Sequence, residues 1–145
     1  MKGREEPLLN CRFRVEIDGI SRSGFSEVSL FHACTEWIEY REGTHPLVLQ
    51  RLAGLERFGV ITLKTGVTKS LELSNWYQNF SSNPSPESRR NASIIVLNSK
   101  GEDGARFNLV NAWPAKYSVG PLEAKGKDVL YESLEIVFEG LQRVS

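Results

Sequence analysis

Net charge is what this sequence most plainly lacks: Lys plus Arg number 18, and Asp plus Glu also number 18. A dedicated nucleic-acid binder carries a basic excess, and none is present here. Neutrality also removes the self-repulsion that keeps copies of a protein apart, which leaves self-association open. Cysteine is scarce as well. Cys11 and Cys34 are the only two, too few for the disulfide framework of a small secreted domain, and they read as reduced, buried thiols. No apolar run approaches the length of a membrane span. The opening residues Met1-Lys2-Gly3-Arg4-Glu5-Glu6-Pro7 turn acidic and contain no apolar stretch of the signal-peptide kind, so a protein made in the cytoplasm is expected. Repeats, low-complexity tracts and linkers are missing too. With 40% hydrophobic and 25% charged residues, the 145-residue chain reads as one folded domain, 1–145.

The usual chemical signatures are equally sparse. His32 and Cys34 lie two apart, with His45 further on, but a zinc site needs three or four ligands, and this spacing favours a structural role. No Gly-x-Ser-x-Gly elbow or ordered Ser-His-Asp set occurs. Gly101 and Gly104 fall between two strand patterns with no helix behind them, which makes a hairpin turn rather than a phosphate cradle. No catalytic residue, metal or cofactor is expected.

What the sequence does contain is alternation. In residues 11–18, Cys11, Phe13, Val15 and Ile17 face one way and Arg12, Arg14, Glu16 and Asp18 the other, the mark of a half-buried strand. Residues 24–30 are expected to pair with it as a hairpin. Residues 34–42 form the next strand, with Trp37, Glu39 and Arg41 on one face and Ile38 and Tyr40 on the other. Residues 44–56, with Pro46, Gly54 and the leucines 47, 49, 52 and 55, read as a long apolar loop docked onto something. A strand is expected over 58–65. Residues 70–80 place Leu73, Trp76, Tyr77 and Phe80 on one helical stripe, with Ser70 as N-cap. The run Ile94-Ile95-Val96-Leu97 is a strand covered on both faces. Residues 105–113 pair back until Pro114 interrupts them, and 128–139 form the last strand, its apolar face broken by Glu132. About seven or eight strands and one helix result. The fold class is mainly β: an antiparallel two-sheet barrel or sandwich with one flanking helix.

Three features invite a functional reading. Glu132 on an apolar face needs a partner, either an internal arginine or a charge across a subunit boundary, where a buried pair can fix registry. Trp37, Trp76 and Trp113 fit core or interface packing better than a ligand-stacking platform. Arg89-Arg90 is too small a basic patch for nucleic acid on a neutral chain and suits strand-end charges or a contact between rings.

Taken in order, the pieces resemble the tail tube proteins of contractile phage tails and contractile injection systems. The resemblance is carried by Phe13-Arg14-Val15-Glu16-Ile17-Asp18-Gly19, Gly24-Phe25-Ser26-Glu27-Val28-Ser29, Ile38-Glu39-Tyr40-Arg41-Glu42-Gly43 and Leu52-Ala53-Gly54-Leu55. It continues through Ile61-Thr62-Leu63-Lys64-Thr65-Gly66, Trp76, Arg89-Arg90-Asn91, Asn111-Ala112-Trp113-Pro114-Ala115-Lys116-Tyr117 and Tyr131-Glu132-Ser133-Leu134-Glu135. Two departures stand out. Leu30-Phe31-His32 follow the Ser-Glu-Val-Ser element where the family often has glycine, and Lys64-Thr65-Gly66 replaces a common Lys-Arg-Gly.

The resemblance implies a non-enzymatic structural subunit, assembling as hexameric rings stacked into a hollow tube within a contractile sheath. It would be either the repeated tube subunit or the first ring beside a baseplate or spike. Implied partners are further copies of itself, sheath subunits, baseplate or spike proteins, and cargo in the lumen, either DNA or a protein effector. The chain would assemble in the cytoplasm as part of a tail or injection particle. Expected contact residues between subunits or rings are Tyr40, Arg41, Glu42, Gly43, Leu47, Leu49, Leu52, Leu55 and Trp113, with Arg89 and Glu132 fixing registry by charge. The alternatives are a type VI secretion tube protein and a monomeric β-barrel binding ligands through Trp37 and Trp113.

Overall fold

The structure is a computed structural model, and it describes residues 6–20, 24–41, 43 and 49–145. Among the described residues there are nine strands and one α-helix: β1 (Phe13–Ile17), β2 (Glu27–Val28), β3 (Ala33–Tyr40), β4 (Gln50–Phe58), β5 (Ile61–Gly66), α1 (Glu72–Ser82), β6 (Arg90–Leu97), β7 (Asp103–Val119), β8 (Tyr131–Val137) and β9 (Gly140–Arg143). The ladder runs β1-β6-β7-β8-β5-β2, with β9 beside β7, and every pairing is antiparallel. Strand β7 is long enough to serve two sheets. Its first half pairs with β6 and β9, its second half with β8. The expected two-sheet sandwich with a flanking helix is what forms. Among the described residues no ladder joins β1 to β2, so the sheets do not close into a barrel.

The change of sheet happens at one place. Arg90 pairs with Ala112 and Ala92 with Leu109, so two residues of β7 oppose Asn91 alone. This is a bulge, which bends and twists a strand. Asn111 sits in it at φ 52, a left-handed conformation that asparagine tolerates better than most residues. The Asn91 Oδ1 accepts from the Asn111 N–H at 3.2 Å, and the Asn111 amide donates to Glu139 Oε2 at 3.3 Å. Pro114, expected to interrupt the strand, stands at a further register shift, between Pro114 and Lys116, and β7 continues past it to Val119. A bulge accommodates the missing N–H without ending the strand.

Both sheets and the helix meet in one core. Val15, Ile17, Ala92, Ile94 and Leu109 come from the first sheet, Ile61, Leu63, Leu134 and Ile136 from the second, and Leu73 and Trp76 from α1. The helix stripe behaves as its spacing requires: Leu73, Trp76 and Phe80 are buried, and Tyr77 stacks on Tyr117 at 6.2 Å. Leu71 rather than Ser70 occupies the N-cap, and the Ser70 Oγ accepts from the Glu72 N–H at 3.5 Å. On the outer side of the first sheet, Ile95 is fully buried. Its direct neighbours in register are Arg14 and Arg106, whose aliphatic stems cover it while their heads stay polar. Arg14 bonds Glu16 at 3.0 Å and Asp103 at 3.3 Å. The bond to Glu16, aided by the Asp103 charge, holds the Arg14 guanidinium above its ordinary pKa.

Several pairings differ from expectation. Residues 24–30 do not form a hairpin with β1: β1 pairs with β6, and β2 pairs with β5. The apolar run of β6 needs a strand on each edge, and β1 supplies one of them. Residues 50–56 are strand rather than loop, the single strand expected over 58–65 is the end of β4 plus β5, and β9 follows β8 as a separate strand. Cys11 and Cys34 are both exposed rather than buried. Cys34 lies on a strand whose every residue is exposed, and Cys11 precedes β1 outside the core. The possible contribution of His45 to a metal site falls outside the described residues. His32 packs its ring over Gly59, where an added Cβ would come within 2.2 Å of it.

Gly19 has no room for a side chain. It lies at φ +76, and a Cβ there would sit 2.1 Å from Arg90 Nη1, which itself bonds the Asp18 carbonyl at 2.5 Å. The Gly19→Ala variant is expected to lose about 1–3 kcal/mol through combined backbone strain and displacement of that guanidinium. An unchanged urea midpoint would refute this account of the turn.

Candidate assembly interface

An antiparallel ribbon leaves the second sheet and projects beyond it. The register starts inside the sheet with Glu27 opposite Lys64 and Val28 opposite Leu63. The Ser29 N–H donates to Thr62 O at 3.0 Å and the Gly59 N–H to His32 O at 2.9 Å. Ala33 opposite Phe58 and Thr35 opposite Glu56 then keep the same register. Strands β3 and β4 therefore continue the β2–β5 pairing, as an arm in one piece with the core. Phe31 on Phe107 (5.3 Å) and Phe58 on Phe138 (5.5 Å) anchor its base.

Beyond the base the arm is bare. All of β3 is exposed, and so is β4 up to its last residue. Trp37 is 60% exposed and Leu55 71%, with Ile38, Tyr40, Leu49 and Leu52 also open. A register shift between Thr35 and Trp37 separates base from tip. Past it, Ile38 faces Leu52 and Tyr40 faces Gln50, so one side carries no charge. The other side holds Trp37, Glu39 and Arg51, with the Arg51 guanidinium 5.6 Å from the Trp37 ring. A two-stranded ribbon is marginal in water on its own, and one with this much apolar surface is built to be covered.

The arm brings together Tyr40, Arg41, Leu49, Leu52 and Leu55 of the expected contact residues, with Gly43 in the turn beyond β3. Glu42 and Leu47 lie outside the described residues. The other three candidates are elsewhere. Trp113 stacks on Phe80 of α1, rings 5.1 Å apart, so it packs helix to sheet and shares no platform with Trp37. Arg89 pairs with Glu139 beside the β7 bulge. Glu132 is 4% exposed in β8 and accepts the Tyr117 hydroxyl at 2.5 Å, which puts its carboxylate inside the protomer rather than on its surface. Residues 119–127 carry no expectation from the sequence, although Val119 and Leu122 are exposed there, and Val129, expected in the last strand, lies exposed before β8. The available signal was three apolar residues set among loop charges.

Among the described residues no three His, Cys, Asp or Glu side chains gather into a metal site, and no helix is long and apolar enough to cross a membrane. The interior that a ligand-binding barrel would keep open is filled by Ile61, Leu63, Leu134 and Ile136.

The family model of the T4-like virus tail tube protein gp19 matches residues 9–142. The chain belongs to that family. This is a family of structural tail tube proteins. Solved structures share the tail tube fold. A chain from the sheath/tube terminator of an extracellular contractile injection system, PVC, is 23% identical, with a TM-score of 0.86 over 99% of this chain and 100% of that one. A chain from the anti-feeding prophage baseplate is 22% identical, with a TM-score of 0.80 over 97% of each. Hcp1 from Flavobacterium johnsoniae is 14% identical, with a TM-score of 0.56 over 91% of this chain and 94% of that one. No curated protein matches.

Glu132 gives a test of the tail tube protomer itself. Glu132→Ala strips the Tyr117 hydroxyl of a buried acceptor and should lower stability by about 1–3 kcal/mol, and Glu132→Gln by less. Equal urea midpoints for all three proteins would show that the carboxylate has no structural role.

Proposed function

We propose that this chain is a subunit of the inner tube of a phage tail or contractile injection particle. It assembles from the cytoplasm as hexameric rings stacked inside a sheath, and its function is mechanical rather than catalytic. The observation that carries the reading is the arm: on a tail tube fold, a covalently continuous ribbon with apolar residues bare on both faces has no use in a monomer. Tyr40, Arg41, Gly43, Leu49, Leu52 and Leu55 then contact neighbouring subunits, as do Glu42 and Leu47 through their place in the same segment.

Sheath, baseplate and spike proteins are the further partners, and the lumen carries DNA or a protein effector. The relatives come from a sheath/tube terminator and a baseplate, which supports either a repeated tube subunit or a ring at one end. The likeness to these chains is fuller than to Hcp1, with TM-scores of 0.80 and 0.86 against 0.56, and this favours an extracellular particle over a type VI secretion tube.

Negative-stain electron microscopy with light scattering across a concentration series tests the reading. Rings or tubes of six-fold symmetry are expected for the native chain. Ile38→Glu with Leu52→Lys should leave the protomer's melting temperature unchanged, because both side chains are exposed and opposite charges facing each other across the strands do not repel, while reducing assembly at least ~tenfold. A native chain that stays monomeric at every concentration, also when mixed with its baseplate partner, would refute it.

A further inference from the structure

The second sheet ends in two different ways. At its Ile61–Ile136 end it runs on into the arm. At its Gly66–Tyr131 end the chain forms a groove of about 510 Å³, lined by Pro121, Leu122, Val129 and Leu130 with Lys64, Glu123 and Asp128 among them. Leu122 is 80% exposed and Val129 63%. Val67, whose N–H donates to Leu130 O at 2.9 Å, and Val119, opposite Glu132 in register, extend the apolar surface. The Lys64 ammonium is already engaged within the protomer, 4.5 Å from the Tyr131 ring and 3.9 Å from Glu27.

Arm and groove cannot meet within one chain. The length of β5 separates them, roughly 20 Å at about 3.3 Å per residue, and the arm leaves in the direction away from the groove. We propose that the uncharged side of the arm, Ile38, Tyr40 and Leu52, seats in the groove at Leu122 and Val129 of the next copy along the tube. This rests on the tube reading and adds to it the receiving surface.

Three observations favour a second copy over any other occupant. Each chain offers one arm and one groove at opposite ends of a single sheet, so pairing them is a heterologous contact, which runs on from copy to copy wherever its rotation does not close a ring. One such operation also covers both exposed apolar surfaces at once. The charges do not oppose it: Glu36, Glu39 and Glu56 balance Arg41, Arg51 and Arg57 among the described arm residues, and at the groove Lys125 and Lys127 balance Glu123 and Asp128, with Lys64 already paired to Glu27. Neither surface presents a field of one sign that would repel the other.

Cysteine cross-linking of the full chain, with Cys11→Ser and Cys34→Ser as background, tests the pairing. Leu52→Cys and Leu122→Cys, made as separate variants, should give a disulfide-linked dimer on mixing and mild oxidation, at least ~tenfold above either variant alone. Both changes on one chain should give a ladder extending beyond the dimer. Leu9→Cys, at an exposed site away from the groove, is the collision control, and equal trapping with it overturns the proposal. A second variant, Leu122→Glu, should keep the urea midpoint and ring formation but release rings from stacks. Stacks that persist in that variant, or tubes that form without the cross-link, overturn the arm-to-groove contact and leave the tube reading standing. Trapping of Leu52→Cys only when sheath protein is added also overturns it and assigns the arm to the sheath. A background protein that forms no assembly of any kind overturns both readings.

Discussion

Strand β7 belongs to both sheets, and the remaining architecture follows from how it crosses between them. The bulge at Asn111 turns the strand at the point where pairing with β6 ends and pairing with β8 begins. Around that turn, Asn91, Asn111, Glu139 and Arg89 bond to one another, so the angle between the sheets is fixed by polar contacts at the seam and by apolar packing inside. The second sheet, and with it the direction of the arm, inherits that angle. A change at the seam would therefore be felt far from it, at the arm tip, because a continuous hydrogen-bonded ladder joins the two.

The distribution of apolar surface separates folding from assembly. Residues that build the protomer alternate inward on β1, β5, β6 and β8 and fall close to complete burial. Those of β3 and β4 do not choose a side, since the arm has no core of its own to face. Hydrophobic burial is the main favourable term in folding, and the arm forgoes most of it in the isolated chain. Its order comes from sharing the β2–β5 register and from two ring contacts at its base. This division makes the protomer stable without the arm's apolar residues, and the arm available without unfolding anything.

Much of this was legible in the sequence. The alternation of Phe13 to Ile17, the doubly covered Ile94 to Leu97 run and the Leu73, Trp76, Phe80 stripe each gave the right element, because period and burial agree there. Glu132 was expected to meet an arginine or a charge across a subunit boundary, whereas the Tyr117 hydroxyl donates to it, a partner that depends on how far β7 reaches past Pro114. What misled was context. Residues 50–56 carry leucines without alternation, so period gives no strand signal, and only pairing with β3 makes them one. Residues 24–30 lie next to β1 in sequence, yet they belong to the other sheet because Gly19 turns the chain away. Cys11 and Cys34 looked like core residues by type, but each stands on a segment that the core never reaches. The groove at Leu122 was invisible for the same reason as the arm: its apolar residues have no periodicity, and only tertiary structure shows that they converge.

Neutrality, the first thing missing from the sequence, takes on meaning once the ion pairs are placed. Arg14 with Glu16 and Asp103, Arg106 with Glu16, Arg57 with Glu36, Lys64 with Glu27 and Arg89 with Glu139 all lie within one protomer. Exposed pairs of this kind add little stability. Each also cancels a charge locally, in keeping with the net charge of zero. For a protein that functions alone, that would be a solubility liability. For one that repeats along an axis it lowers the repulsion between adjoining copies, which salt screening confines to near neighbours. The same balance leaves apolar contact as the term that decides which surfaces meet, and the arm offers Trp37, Ile38, Tyr40, Leu49, Leu52 and Leu55 for it.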